Sequence, residues 1–529
     1  MSAVDAPGDA EARPGDRTTA ASAPPFADGW TLAIVALAGI QPFTAFAVAN
    51  AGRLVRPLPV VLAGLAWMLL TVAAFLVVRL LTRSSPPLPW AATVAVVSLS
   101  FWNFGRIFPS EPESAVARWV ALGVWLLLTA LLVVLVRRLV TLSWARSFLV
   151  AMLAIWVGAA VLQAGLVRAQ ATGGDTPAEY AGPPFGDFVE RPNVYWFVLD
   201  GHPRTDQLEE VTGRSNAWFG DDLRARGFSV SESSQTGYVE THLSIPSTLA
   251  MEYRTTPGND YRSIYLGAAE VIAGDNPVVE AFEANGYRYV YAPDGSIEWA
   301  ACPDLTGDRA CIRPENATFG LREPYSALVQ STPVGSFPVD LTHNTLDSVL
   351  DGLDELDVAD DQPVFFFSHL LTPHFPHRYE ADCSMRDDWV VGTTLTGEER
   401  AANHAVDTEC VDREVIAAVD RILTADPDAV IIVQSDHGSR LTFNFSTTYE
   451  EMTPRALTEG FAVLNAIRLP EACREESIEG EPLVNTFRIV LACLSGTEPD
   501  RLPTRTFFAT FGRVDTLVEV PPERFEPSS

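Results

Sequence analysis

The chain contains no lysine, and all 37 of its basic residues are arginine. A lysine Schiff base and the phosphate-binding loop that ends in Gly-Lys-Ser/Thr are therefore excluded. Basic residues are also few against 67 Asp and Glu, which gives a formal net charge of −30. This sign argues against DNA or RNA as a partner, because nucleic-acid phosphates attract basic surfaces. With 529 residues and a hydrophobic fraction of 47%, the chain is too long for one ordinary domain and too apolar for a disordered protein.

Acidic residues and cysteines are concentrated in the C-terminal part of the chain. Residues 1–190 carry 12 Arg against 11 acidic residues, whereas residues 191–529 carry 25 Arg against 56. All six cysteines lie in the acidic part, which predicts disulfides in an oxidising compartment. Six buried thiols in a cytosolic protein are the alternative. Six cysteines allow about 15 connectivities, of which one uses only sequence-local pairs: Cys302–Cys311, Cys383–Cys410 and Cys473–Cys493.

Five apolar runs follow a Pro/Ala/Asp-rich segment, residues 1–28, which we expect to be a disordered cytoplasmic tail. The runs cover roughly residues 30–50, 58–78, 88–104, 119–136 and 148–167. Each is long enough, or nearly so, to cross about 30 Å of hydrocarbon at about 1.5 Å per residue. The third is the shortest, but Trp90 and Trp102 near its ends suit the two interfacial belts. The sequence therefore predicts a transmembrane domain of five helices over residues 29–168.

Five crossings place the two ends of the chain on opposite sides of the membrane. With the amino terminus inside, seven Arg lie in inner segments and five in outer ones, which favours this orientation. We therefore expect a multi-pass protein of the cytoplasmic (inner) membrane with its acidic part outside. A Gly/Pro/Thr-rich linker, residues 169–190, separates the apolar runs from that part. We divide the rest into an extracytoplasmic domain, residues 191–497, for which the resemblance given below implies catalysis, and a C-terminal extension, residues 498–529.

The acidic part alternates between predicted strands and helices. Continuous β-branched and aromatic runs at residues 193–199, 287–292, 364–367 and 429–433 are typical of strands buried on both faces. An amphipathic segment from Thr408 to Ala425 predicts a helix that Asp426-Pro427-Asp428 ends. This alternation predicts an α/β domain with a mostly parallel sheet and helices on both faces.

Two of the predicted strands are followed by acidic residues. Leu199 precedes Asp200, and Val433-Gln-Ser435 precedes Asp436 and His437. The carboxyl ends of parallel strands meet at one edge of a sheet, where these side chains can share a metal ion. A helix cap is the alternative for a lone strand-end Asp.

Hydroxyl and imidazole groups occur in two further segments. Thr241-His-Leu-Ser244-Ile-Pro246 places a hydroxyl at a predicted helix start, where the helix dipole and a metal would make it a usable nucleophile. An ordinary Ser/Thr cap is the alternative. His369, His374 and His377 are three of eight histidines within nine positions, a cluster that favours a polar site.

Taken in chain order, these elements resemble the alkaline phosphatase/sulfatase superfamily, and more closely its membrane-anchored branch of lipoteichoic acid synthases and phosphoethanolamine transferases. The resemblance runs through most of residues 191–497 and implies a three-layer α/β/α fold. It implies that four residues bind one divalent metal ion, Zn²⁺ or Mn²⁺: Asp200, Thr241, Asp436 and His437. Thr241 would also be the nucleophile. In the family, a histidine binds phosphate or protonates the leaving group. His374 in Thr-Pro-His-Phe-Pro is the best match for it, and His369 is the second candidate.

The resemblance implies transfer of a phospho-headgroup, phosphoglycerol or phosphoethanolamine, through a phospho-threonine. The donor would be a membrane phospholipid and the acceptor an envelope glycan or lipid. None of the six cysteines begins the Cys-x-Pro-x-Arg motif of type I sulfatases, which disfavours sulfate-ester hydrolysis by that chemistry. No histidine follows His437, where phosphoethanolamine transferases carry one more, so a second metal is not expected.

Two alternatives remain: a phosphodiester or sulfate ester hydrolase on the same scaffold, and a non-enzymatic membrane-anchored binding protein. An anionic headgroup in an acidic domain calls for nearby arginines. The candidates follow three of the motifs closely, and ordinary ion pairs are their alternative: Arg204, Arg378 and Arg440.

Overall fold

The computed structural model describes residues 26–108, 115–142, 144–171, 185–258, 264–295, 297–303, 305–313, 325–336, 344–356, 362–390 and 395–526. Most of the predicted tail (1–28) and of the predicted linker (169–190) lies outside these residues.

The N-terminal part forms a bundle of apolar helices. The helices are α1 (Gly29–Asn50), α2 (Leu58–Leu81), α3 (Leu88–Trp102), the one-turn α4 (Phe104–Ile107), α5 (Ala115–Leu139) and α6 (Ala145–Ala171). Within the described ranges, four helices are long and apolar enough to cross a membrane: α1, α2, α5 and α6. Helix α3 has 15 residues and spans about 22 Å at about 1.5 Å per residue, short of about 30 Å of hydrocarbon. The five predicted apolar helices are present, and the fifth crossing stays a prediction.

Helix α1 lies at the centre of the bundle. It packs against α2, α3 and α6. The Asp28 carboxylate caps its first turn by accepting a hydrogen bond from the Thr31 amide, 2.8 Å away. Gly39 lets α2 approach closely, because a Cβ there would lie 2.9 Å from the Cα of Met68.

The C-terminal part is built on a seven-stranded sheet in the order β2-β9-β8-β1-β5-β3-β4. Strand β1 pairs in parallel with β5 and β8, and β3 with β5, whereas β9 runs antiparallel to β8. Two small antiparallel sheets, β6-β7 and β10-β11, lie outside it. The strands are β1 (Val194–Leu199), β2 (Ser229–Val230), β3 (Arg288–Pro293), β4 (Ala310–Cys311), β5 (Val364–Leu370), β6 (His377–Tyr379), β7 (Met385–Val390), β8 (Val430–Gln434), β9 (Asn465–Arg468), β10 (Phe507–Thr510) and β11 (Arg513–Glu519).

Helices cover both faces of the main sheet, so the domain has the predicted three-layer α/β/α architecture. Alternate residues of β1 illustrate this: Trp196 packs in a core with Phe282 and Phe487, whereas Phe197 packs in a second core with Val415. The helices are α7 (Thr205–Thr212), α8 (Ala217–Ala225), α9 (Thr241–Ala250), α10 (Ile264–Ile272), α11 (Pro277–Ala284), α12 (Tyr325–Gln330), α13 (Leu346–Asp354), α14 (Gly397–Ala425), α15 (Pro454–Phe461) and α16 (Thr486–Ser495).

The predicted elements agree with the structure except at some ends. The four predicted strands correspond to β1, β3, β5 and β8. Helix α14 begins at Gly397, earlier than the predicted Thr408. Thr396 caps its start and forms a capping box with Glu399 of the first turn. The three sequence-local cysteine pairs are the disulfides that form: Cys302–Cys311, Cys383–Cys410 and Cys473–Cys493.

Candidate active site

Three potential metal ligands meet at the carboxyl edge of the sheet. Asp200 follows β1, while Asp436 and His437 follow β8, its neighbour in the sheet. His437 Nε2 lies 3.4 Å from Asp200 Oδ1 and 3.5 Å from Asp436 Oδ2. One ligand atom from each residue lies within 4.8 Å of the others, and all three residues are buried. Parallel pairing of β1 with β8 is thus what brings together residues more than 230 positions apart.

The polar atoms of this group fit a divalent cation. Asp200 Oδ1 and Asp436 Oδ2 are buried and accept no hydrogen bond from the described residues. His437 Nδ1 lies 2.7 Å from the Gly438 carbonyl, to which it donates, so Nε2 presents a lone pair to the carboxylates. Burial and the positive charge of Arg440 lower the pKa of His437 to about 4, which keeps the ring neutral. Two carboxylates and one neutral imidazole suit Zn²⁺ and Mn²⁺ alike.

The loop after Asp436 has room only for glycine at position 438. A Cβ at Gly438 would lie 1.8 Å from the Glu459 carbonyl oxygen. The buried Glu459 side chain accepts hydrogen bonds from the Ser439 hydroxyl at 2.6 Å and from the Leu441 amide at 2.6 Å. This loop therefore fixes where the Asp436 and His437 side chains begin.

Thr241 is the first residue of α9, as the motif predicts. Its Oγ1 lies 3.5 Å from Asp200 Oδ2 and 3.4 Å from His437 Nε2. The preceding Glu240 makes no side-chain cap, and its carbonyl accepts the Leu243 and Ser244 amides at 2.9 Å each, which begins the helix. Ser244 of the same motif is buried, and its hydroxyl lies 2.9 Å from the Thr236 hydroxyl, a structural contact.

The two predicted catalytic histidines lie on different sides of Asp200. His369 is a buried residue of β5 whose Nε2 lies 3.3 Å from Asp200 Oδ2, and it is not among the described residues that line the cavity over the site. Burial opposes protonation of His369, but the Asp200 carboxylate raises its pKa overall. His374 lines the cavity, and its backbone amide donates to the Asp200 carbonyl at 3.0 Å. Its Nδ1 lies 2.7 Å from the Phe375 carbonyl, which leaves Nε2 for a ligand.

The site opens into a cavity of about 370 Å³. Its wall combines the site residues with aromatic side chains and two arginines: Asp200, Thr241, His374, His437, Tyr265, Trp299, Phe375, Phe445, Phe511, Arg53 and Arg440. Phe511 follows β10 in the predicted C-terminal extension, and Arg53 comes from the loop between α1 and α2. Sequence reasoning missed both residues, because nothing in their local sequence marks them.

The three arginines proposed near the headgroup have different surroundings. Arg440 lines the cavity, where its Nη1 lies 3.5 Å from the buried Glu240 carboxylate and its guanidinium lies over the Phe445 ring. Arg378 is buried in a bidentate pair with Asp294 at 2.7 and 3.0 Å, and Arg204 pairs with Asp206 at 2.7 Å. Arg378 and Arg204 are therefore ion-pair residues, the alternative given for all three arginines, and the charge each would offer a headgroup is taken by a carboxylate.

Residues 207–460 match the family model Sulfatase. This match confirms the resemblance to the alkaline phosphatase/sulfatase superfamily and the predicted class, a sulfatase-like enzyme. The matched segment contains Thr241, both predicted catalytic histidines and the Asp436–His437 pair, and begins after Asp200. No curated protein sequence matches the chain.

Two solved structures are similar to parts of this one. The C-terminal periplasmic domain of EptC from Escherichia coli is 13% identical, with a TM-score of 0.42 over 65% of this chain and 98% of that one. The lipooligosaccharide phosphoethanolamine transferase A (EptA) of Neisseria meningitidis, an integral membrane protein, is 14% identical, with a TM-score of 0.40 over 90% of this chain and 97% of that one.

Proposed function

We propose that this protein transfers a phospho-headgroup, phosphoglycerol or phosphoethanolamine, from a membrane phospholipid to a cell-envelope glycan or lipid. The proposal places the α/β domain outside the cytoplasmic membrane, above five membrane crossings. One observation carries it: the Thr241 hydroxyl lies within 3.5 Å of Asp200 and His437, in a cavity whose wall includes Arg53 from the loop between the first two apolar helices. A nucleophile beside a cation site and next to apolar helices suits a phosphoryl donor that resides in the bilayer.

Asp200, Asp436 and His437, with Thr241 completing the set, would hold one Zn²⁺ or Mn²⁺ ion. Such an ion supplies positive charge that acidifies a nearby hydroxyl and offsets negative charge on a phosphoryl group. The Thr241 hydroxyl releases its proton to water and its oxygen forms a bond to phosphorus while the phosphorus–oxygen bond to diacylglycerol breaks. The acceptor's hydroxyl oxygen then displaces the Thr241 oxygen, which takes up the proton that the acceptor loses, so the headgroup has moved and the enzyme is restored.

His374 is proposed as the residue that gives a proton to the diacylglycerol oxygen and afterwards holds the phosphoryl group. Burial lowers the pKa of His374 in the free protein, so the ring is neutral before substrate arrives. A phosphodiester anion beside Nε2 favours protonation of the ring, so binding prepares the acid. His369, whose Nε2 lies 3.3 Å from Asp200 Oδ2, is proposed to position that carboxylate and not to touch substrate.

Intact mass of the full-length protein tests the nucleophile. The detergent-solubilised protein is incubated with Mn²⁺ or Zn²⁺ and vesicles of phosphatidylglycerol or phosphatidylethanolamine. We expect a covalent adduct whose mass names the headgroup, and no adduct on Thr241→Ala. Ser247→Ala, a second hydroxyl residue of α9, is the matched control and should keep the adduct. An adduct that survives Thr241→Ala would contradict the proposal.

A labelled lipid donor then separates transfer from hydrolysis. With envelope fractions present, transfer labels a glycan or lipid acceptor, whereas a hydrolase releases free headgroup alone. Metal bound without any adduct would favour fast hydrolysis or another substrate, and failure to bind a divalent metal would favour the binding-protein alternative.

A further inference from the structure

The loop between α1 and α2 is fixed to the α/β domain by hydrogen bonds. The Glu298 carboxylate accepts from the backbone amides of Val55 and Arg56, each at 3.1 Å. The Arg56 guanidinium donates to the Cys302 carbonyl at 2.7 Å, and the Tyr325 hydroxyl donates to the Arg56 carbonyl at 3.2 Å. Cys302 is itself held by its disulfide to Cys311. A segment of the membrane bundle is therefore part of the rigid surroundings of the site.

Arg53, on this loop, reaches the cavity that contains Thr241. Its guanidinium carbon lies 5.4 Å from the centre of the Tyr265 ring and 5.7 Å from that of Phe511. A Cβ at Gly512 would lie 3.0 Å from Arg53 Nη2, so the absence of a side chain there makes room for the guanidinium. Gly512 also has a φ of +69°, which L side chains rarely adopt.

No carboxylate among the described residues forms an ion pair with Arg53. Of the two nearby acids, Glu298 accepts hydrogen bonds from the two amides of the loop, and the Glu240 carboxylate lies 3.5 Å from Arg440 Nη1, with Arg53 close enough for its charge to act on that carboxylate as well. Arg53 therefore lines a half-enclosed cavity without an ion pair to a described carboxylate, and guanidinium N–H donors in such a position suit an anion.

We propose that Arg53 is a substrate-binding residue that the membrane bundle supplies to the active site, where it binds the phosphate anion of the group attacked by Thr241. The inference rests on the proposed function, because that function puts a phosphoryl group at Thr241. It goes further because it builds the site from residues of both the bundle and the α/β domain. The same chemistry would recognise the phosphodiester of a lipid or a free phosphate.

The test uses full-length Arg53→Gln and Arg53→Lys in detergent, with Arg106→Gln as a matched control. Arg106 is an exposed arginine of α4 that does not line the cavity. Binding of inorganic phosphate is measured by calorimetry in the Thr241→Ala background, which cannot turn over. We expect Arg53→Gln to raise Kd about 10- to 100-fold, the range of a charge-assisted hydrogen bond. Arg53→Lys should recover part of the loss, and Arg106→Gln should leave Kd unchanged.

Steady-state kinetics with Thr241 intact distinguish the sources of the anion. We expect Arg53→Gln to raise KM more than it lowers kcat. A rise for both bis(4-nitrophenyl) phosphate and phospholipid vesicles assigns the contact to the phosphodiester itself, and a rise for vesicles alone assigns it to the lipid-presented substrate. Unchanged Kd and KM in a variant that keeps its thermal unfolding temperature would overturn the inference while leaving the role of Thr241 intact. Turnover by Thr241→Ala would instead overturn the proposed function.

Discussion

The buried arginines Arg79 and Arg378 donate hydrogen bonds to different kinds of acceptor in the two parts of the molecule. In the bundle, Arg79 is fully buried and donates to the carbonyls of Phe26, Thr82 and Ser85 at 2.7–3.0 Å. In the α/β domain, the equally buried Arg378 is paired with a carboxylate, Asp294. The described helices of the bundle contain no Asp or Glu; Asp28, just ahead of α1, lies 3.7 Å from Arg146, and backbone carbonyls accept hydrogen bonds from Arg79.

The surfaces of the two parts differ in the same sense. Exposed large apolar side chains are numerous on the bundle helices, where Leu126 and Leu127 are both 59% exposed. In the described residues after 184, only Val189, Val334 and Met385 are exposed side chains of this kind. One part is built for lipid and the other for water. Arg53 lies where they meet, lines the cavity of Thr241 and forms no ion pair with a described carboxylate, so its charge is available to a ligand there.

The largest expected effect is confined to the α/β domain. Asp436→Asn removes a proposed metal ligand and should lower turnover at least about 100-fold, more than loss of an outer contact. Metal content per chain, measured by plasma mass spectrometry, should fall from about one to near zero. Burial and the Asp436 charge raise the pKa of Asp200, so the two carboxylates repel each other when no metal is bound. In the absence of metal, Asp436→Asn removes this repulsion and should not destabilise the protein. Thermal unfolding with and without chelator checks this; undiminished metal content in the variant would refute the ligand set.

Breaking the buried ion pair of the α/β domain should give the next largest effect. Asp294→Asn leaves the Arg378 cation buried and should cost about 3–5 kcal/mol of unfolding free energy. The exposed pair Arg226–Asp420, at 2.7 Å, is the control. Asp420→Asn should cost less than about 1 kcal/mol, because water and side-chain entropy weaken such pairs. Denaturant titration of both variants measures the difference, and equal costs would count against the assigned roles.

The bundle should tolerate loss of its buried arginine somewhat better. Arg79→Gln gives up several hydrogen bonds to carbonyls, each worth about 0.6–1.7 kcal/mol in a membrane protein, so we expect a loss of about 2 kcal/mol. Unfolding in lipid nanodiscs measures it, with Arg83→Gln on the following loop as the control. A cost as large as that of Asp294→Asn would remove the contrast between the two parts.

The smallest effect is a pH dependence of stability that arises in the α/β domain. Burial, together with the neighbouring His377 and His202, holds the pKa of His404 well below its ordinary value of 6.5. The folded protein excludes a proton that the unfolded chain takes up, so the contribution is complete above pH 6.5 and declines as pH falls below it. The slope is at most about 1.4 kcal/mol per pH unit. His404→Gln should flatten the profile of unfolding temperature against pH between about 6.5 and 5; an unchanged profile would show that His404 takes up its proton while folded.

Much of the site could be predicted because it depends on chain-local patterns at strand ends. A buried run followed by an acid places Asp200 and Asp436 at the same sheet edge, and the structure brings both within 3.5 Å of His437. The helix-start pattern likewise located Thr241. The sequence left the role of Arg378 open between headgroup binding and an ion pair, because its local sequence says nothing of Asp294, which lies 84 positions away and takes its charge.

The sequence by itself determined that apolar helices precede an acidic α/β domain, which strands form its sheet and where a metal could bind. These features follow from hydrophobic period and run length, which each segment carries on its own. Only the tertiary structure decided that the α1–α2 loop is held by Glu298 and that Arg53 enters the cavity of Thr241. Contacts between segments far apart in the chain depend on how whole layers pack, and no local pattern records which loop will lie against which pocket.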